Sequence, residues 1–168
     1  LRQELKSGEG TGGIFVRKSP FDKRSTDIIF FDTDGKDLSG NKTKSIERIF
    51  FSEEYKRAEF NKVGSFKFQE RTNEKYKKHF FFFLDLQAIR KRKFKVVIDY
   101  SYGIASTIFP NILGEFNCDI VSLSAHLDLE KITRSEEEFR SSLDHFSYVV
   151  KSLNYDIGFM IDAGGEKI

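Results

Sequence analysis

The chain has 168 residues, with 28 Lys and Arg against 26 Asp and Glu for a net charge of +2, and this length favours one domain or two partial ones over a typical two-domain enzyme. Near-neutral charge leaves no single-sign field to draw in nucleic acid or acidic membranes, so a dedicated polyanion binder is disfavoured. Hydrophobic residues make up 39%, including 19 Phe and 6 Tyr, enough apolar surface to offset chain entropy and to exclude disorder as the main state.

In chain order, Gly8 to Gly13 reads as a flexible loop and Ile14-Phe15-Val16 as a short strand. After Ser19-Pro20-Phe21-Asp22, the run Asp27 to Phe31 predicts a second strand closed by the turn-forming pair Asp34-Gly35. Helical spacing of Ile46, Ile49, Phe50 and Tyr55 predicts a helix over Asn41 to Arg57, and Glu59 to Gln69 reads as a linker. Arg71 to Arg92 carries no breaker and predicts a long helix, or one with a disturbed middle. A regular rhythm follows: strand at Phe94 to Asp99, helix over Gly103 to Phe116, strand at Cys118 to Leu123, helix over Arg134 to Leu153 and strand at Tyr155 to Ile161. Thr133 and Glu136 have capping-box spacing for the second of these helices. Alternation of this kind calls for right-handed crossovers and a largely parallel sheet, an α/β unit whose ligands sit at the carboxyl ends of the strands. Those ends are Asp99 to Gly103, Ser124 to Asp128 and Asp162 to Lys167.

Most letter-level motifs carry little. Gly8-x-Gly10-x-x-Gly13 precedes a strand, whereas a dinucleotide fingerprint stands between a strand and a helix. The acidic turn at Asp32 to Asp37 has its Gly in the wrong place for a calcium loop. His79, His126 and His145 lack metal-ligand spacing, and the single cysteine, Cys118, rules out an intramolecular disulfide and a Cys-rich zinc module and fits a reducing, cytoplasmic setting. Arg90 to Lys93 reads as a solvated helix face. The run Phe80 to Leu84 is far too short to cross a bilayer, which takes roughly 20 apolar residues, and reads as packing between domains. A start without Met and an end directly behind an apolar run are expected of a piece of something longer. The most informative stretch is Asp156 to Lys167, where a strand delivers Asp162 to its end, small residues permit a tight turn, and Glu166 and Lys167 follow. Clustered oxygen ligands suit Mg²⁺, and a capped turn with a salt bridge would read the same way.

Three stretches resemble the α-D-phosphohexomutases, the phosphomannomutase and phosphoglucomutase superfamily. Val96 to Gly103 resembles the opening of the family's domain II, Ser122 to Asp128 its next strand end, and Asp156 to Lys167 its metal loop Asp-Gly-Asp-Gly-Asp-Arg. In addition, Gly12 to Val16 resembles the strand before the phosphoserine loop, which places Ser19 on the catalytic serine. The resemblance implies phosphohexomutase-type three-layer αβα units with mainly parallel sheets: an incomplete first unit over residues 1–68 and domain II over residues 69–168. It implies phosphoryl transfer between Ser19 and a hexose phosphate or bisphosphate, Mg²⁺ held by Asp162 and Glu166, and phosphate contacts from Arg17, Lys18 and Lys167. The letters depart from the family pattern: Thr-Ala-Ser-His-Asn-Pro is here Arg17-Lys18-Ser19-Pro20-Phe21-Asp22, Gly164 replaces the middle Asp, Lys167 the Arg, and Tyr102 an Asn. Such a degenerate pattern resembles the mutase-like C-terminal region of bacterial mannose-1-phosphate guanylyltransferase fusions. It implies weakened or lost mutase chemistry, or a non-catalytic regulatory or scaffolding module beside an attached or partner nucleotidyltransferase.

Overall fold

The computed structural model of the chain describes residues 1–8 and 10–168; Glu9, inside the expected Gly-rich loop, lies outside the described residues. The chain forms two compact units, Leu1–Val16 with Ile28–Tyr76, and Arg17–Asp27 with Lys77–Ile168. The expected linker thus belongs with the first unit, and the serine loop with the second.

Strands β1 (Gly13–Lys18) and β2 (Thr26–Phe31) form a two-stranded sheet, and helix α1 (Arg2–Lys6) precedes them. The turn after β2 is built by Asp32, whose carboxylate accepts the N–H groups of Asp34 and Lys36, both at 2.9 Å. Gly35 sits at φ +71°, where a Cβ would also run into the Arg2 carbonyl, so only glycine fits. Helix α2 (Gly40–Ser52) stops short of the expected Arg57 because Glu53 adopts the left-handed conformation that ends a helix. Beyond it, residues 53–71 hold only a 3₁₀ turn at Phe60–Lys62.

The long helix expected over Arg71 to Arg92 is two, α3 (Thr72–Phe82) and α4 (Leu86–Arg92). Asp85 divides them by accepting the Ala88 N–H at 3.0 Å, an N-cap that starts a new helix. The Phe run is not buried throughout. Successive residues on a helix point about 100° apart, so Phe80 meets Phe109 and Phe81 meets Phe116, while Phe82 and Phe83 are exposed.

In the second unit, β3 (Lys95–Asp99) lies between β4 (Asp119–Leu123) and β5 (Ile157–Met160), parallel to both, with Asp99 level with Leu123 and Met160. As expected of an α/β sheet, its central strand is buried from Val96 to Asp99. Val96, Ile98, Tyr100, Ala105 and Ile161 form the core, joined by Phe94, Phe109 and Phe159. The β3–β4 crossover is a 3₁₀ turn at Ile104–Thr107 followed by α5 (Phe109–Leu113), with Pro110 in the first turn, where its missing N–H costs nothing. The β4–β5 crossover is α6 (Glu136–Leu153). Gly158 of β5 lets α6 approach: a Cβ there would stand 2.6 Å from Val150 and 2.7 Å from Phe146.

The capping box of α6 is Ser135 with Glu138, two residues later than expected. Ser135 Oγ accepts the Glu138 N–H at 3.1 Å, and the Glu138 carboxylate accepts the Ser135 N–H at 2.7 Å. Thr133 is buried and committed elsewhere, its hydroxyl donating to the Ser19 carbonyl at 2.6 Å.

Ile98→Ala should destabilise the chain by roughly 3 kcal/mol in urea titration, because the site is packed on every side. The Ser135 N–H bond holds the Glu138 carboxyl below its ordinary 4.5. A depressed folded-state pKa means that this stabilisation is complete above the unfolded value and is lost as pH falls through the folded one. Wild type should therefore lose more stability than Glu138→Gln on acidification below about pH 4.5, read from the urea midpoints.

Candidate functional site

The parallel strands deliver their carboxyl ends to one edge of the sheet, and two loops there are tied together by backbone. Ile161 N–H donates to the Asp99 carbonyl at 2.8 Å and Ile104 N–H to the Ala163 carbonyl at 3.2 Å. Gly103 lies so close to Ala163 that a Cβ would overlap its backbone. After β3, Asp99 accepts the Ser101 N–H at 2.8 Å, and Ser101 and Tyr102 both take positive φ, 48° and 57°. This conformation disfavours bulky side chains by about 1–2 kcal/mol, and Asn tolerates it better.

After β5, Asp162 organises its own loop. Its Oδ1 accepts the N–H groups of Glu166 at 2.6 Å and Lys167 at 2.7 Å, and its Oδ2 that of Gly164 at 3.3 Å. Gly165 N–H donates to the Asp162 carbonyl at 2.9 Å and takes φ +71°. A small-residue loop wraps a single carboxylate.

The serine loop is held at both ends. Ser19 N–H donates to the Ser25 carbonyl at 3.0 Å, and Arg134 N–H to the Pro20 carbonyl at 3.3 Å. Asp22 closes the interior, and the Ser25 hydroxyl, aided by the Arg24 N–H, holds its carboxyl below the usual range. Ser19 is 4% exposed, and its Oγ accepts the Phe21 N–H at 3.3 Å. Arg17 turns its guanidinium toward two carboxylates, with Nε 3.2 Å from Asp27 and Nη1 3.8 Å from Glu166. Lys18 reaches Glu130 at 3.3 Å.

A cleft of about 510 Å³ opens here, with Arg17, Phe21, Arg134, Asp162, Glu166 and Lys167 in its walls. Four residues singled out from sequence therefore meet: Arg17, Asp162, Glu166 and Lys167. Ser19 is buried and is not among the residues of the cleft wall, where its neighbours Pro20 and Phe21 stand, and Lys18 is directed at Glu130. Sequence reasoning missed Arg134, Asp27 and Thr133, whose roles depend on contacts far along the chain. A second cleft of about 360 Å³ is lined by Asp99, Tyr102, Lys131, Arg134 and His145, and the Tyr102 ring there meets His126 at 5.1 Å and the Lys131 ammonium at 4.9 Å.

The donors at the 162–167 loop do not fit a divalent cation. Mg²⁺ takes near-octahedral oxygen ligation, whereas Asp162 spends its oxygens on three backbone N–H groups and Glu166 faces Arg17. Gly164 contributes no side chain, and a Cβ there would collide with Arg17 Nη1. Among the described residues, no three His, Cys, Asp or Glu side chains converge in a way that could hold a metal ion.

Known proteins share this chain's sequence and fold. Residues 74–168 match the family "Phosphoglucomutase/phosphomannomutase, alpha/beta/alpha domain II". The chain is 30% identical over 156 residues to a phosphoglucomutase/phosphomannomutase of Thermococcus kodakarensis, covering 93% of this chain and 34% of that one. It is 26% identical over 168 residues to a phosphoglucosamine/phosphogalactosamine mutase of Sulfurisphaera tokodaii, covering 99% and 37%. The chain thus spans about a third of the length of these relatives. A solved structure from Thermus thermophilus, described as a phosphomannomutase, shares the fold with a TM-score of 0.71 at 15% identity, over 99% of this chain and 37% of that one. The match over more than half of its residues means that this chain belongs to the phosphoglucomutase/phosphomannomutase family.

Proposed function

We propose that this chain is the part of a phosphohexomutase-family protein that faces the phosphoryl group of a hexose phosphate in sugar-nucleotide metabolism, with loops altered so that mutase chemistry is weakened. The observation that carries this reading is the meeting of Arg17, Arg134 and Lys167 in one cleft at the carboxyl ends of β3 and β5. Phosphoryl transfer asks a protein mainly for positioning and for neutralisation of charge on the phosphoryl oxygens. Three cations around one opening supply that for a dianion. In this reading Lys167 and Arg134 contact phosphate and Arg17 fixes the local charge. Ser19 is the acceptor: its Oγ bonds to phosphorus as the bond from phosphorus to the sugar oxygen breaks, and the hydroxyl proton passes to the departing sugar oxygen, which leaves as an alcohol. For that, the Ser19 hydroxyl must leave the Phe21 N–H and turn into the cleft. The single cysteine fits a reducing, cytoplasmic setting, and no helix among the described residues is long and apolar enough to cross a membrane.

One observation favours a second reading, a non-catalytic module that supports an attached or partner sugar-1-phosphate nucleotidyltransferase. Ser19 is buried, and its loop is tied down through its own carbonyl and that of Pro20. A nucleophile stored this way is costly to mobilise.

The test is incubation with hexose 1,6-bisphosphate, followed by peptide mass spectrometry against a Ser19→Ala control. Phosphate on Ser19 is expected if the loop still accepts a phosphoryl group, and an unmodified Ser19 in folded protein selects the second reading. Independently, Lys167→Ala should weaken hexose phosphate binding by about tenfold, the worth of one charge-assisted hydrogen bond, read by calorimetry. Unchanged affinity would place the phosphate elsewhere.

A further inference from the structure

The Arg17 side chain lines the cleft but is only 19% exposed, with its guanidinium turned to two carboxylates. Its guanidinium lies over Gly164, at the position that a side chain on residue 164 would take. From there it faces Glu166 at 3.8 Å, while Nε holds Asp27 at 3.2 Å; the site of that same missing Cβ is 3.1 Å from Asp162 Oδ2. A cation therefore sits in the middle of the carboxylate loop. It belongs to the chain and is covalently fixed.

We propose that the Arg17 guanidinium stands where this loop would otherwise take a divalent cation, and that Gly164 and Arg17 are two halves of one device. Gly164 supplies the vacancy, and Arg17 fills it with positive charge. The chemistry is consistent. A guanidinium is charged at every working pH, is weakly hydrated, and offers planar donors to several carboxylates at once, so it tolerates partial burial better than an ammonium does. The loop's other donors, the backbone N–H groups of residues 164, 166 and 167, already satisfy Asp162 without a metal. The site built this way is metal-independent, and its charge does not vary with the supply of Mg²⁺. This inference concerns the loop's own cation and stands whether or not the cleft binds a hexose phosphate.

Two measurements on the full chain test it. The first is Mn²⁺ binding, followed by the electron paramagnetic resonance signal of the free ion. Wild type should leave millimolar Mn²⁺ unbound, and Arg17→Thr combined with Gly164→Asp, which removes the guanidinium and adds a carboxylate, should bind it at least about tenfold more tightly. Binding by wild type that Asp162→Asn abolishes would overturn the proposal, and so would failure of the folded double variant to bind. The second is thermal unfolding of Gly164→Ala in two backgrounds. The alanine should lower Tm when Arg17 is present, by displacing its guanidinium, and have little effect in Arg17→Ala. An equal drop in both backgrounds would mean that Gly164 serves only the backbone of its turn, and the pairing would be wrong.

Discussion

Gly103 lying against the backbone of Ala163 is the constraint on which the site depends. No side chain fits between them, and the Ile104 N–H bond to Ala163 fixes their register. Because Ala163 directly follows Asp162, this packing sets where the carboxylate and the rest of its loop stand relative to the end of β3. The parallel sheet supplies the coarse placement, aligning Asp99 with Met160. Backbone packing supplies the fine one.

On that frame, local charge is balanced from within the chain. Asp162 is satisfied by three N–H groups, Glu166 and Asp27 face Arg17, and Lys167 remains on the cleft wall with Arg134. Salt bridges at such half-buried positions add little net stability. Their consequence here is geometric: they hold a guanidinium at one point in the loop. The serine loop is likewise tied by Thr133 and Arg134 to the β4–α6 connection, so that it and the carboxylate loop share one unit although nearly the whole chain separates them in sequence.

The parallel sheet was legible because buried strands and amphipathic helices alternate in composition, and the resemblance to the family was legible in Val96 to Gly103 and Asp156 to Lys167. Boundaries were less so. Asp85 and Glu53 end or begin helices through one capping bond or one backbone angle, features with no hydrophobic period. The capping box was misplaced because Thr133 and Ser135 present similar hydroxyls, and only the tertiary bond from Thr133 to Ser19 separates them. Within the site, Asp162, Glu166 and Lys167 could be found because a strand end announces them. The resemblance implied a phosphate contact for Arg17, and its place over Gly164 was not legible, since it joins residues far apart in the chain.

The most direct measurement is an NMR titration of the full chain with Mn²⁺, observing the Arg17 side-chain Nε–H and the backbone amides of residues 164–167. A guanidinium already seated in the loop predicts that these signals are as sharp with the paramagnetic ion as without it, with an Arg17 Nε–H slow to exchange. Selective broadening of the 164–167 amides together with Arg17, at concentrations that leave the rest of the sheet untouched, would show a metal in the loop and contradict the account.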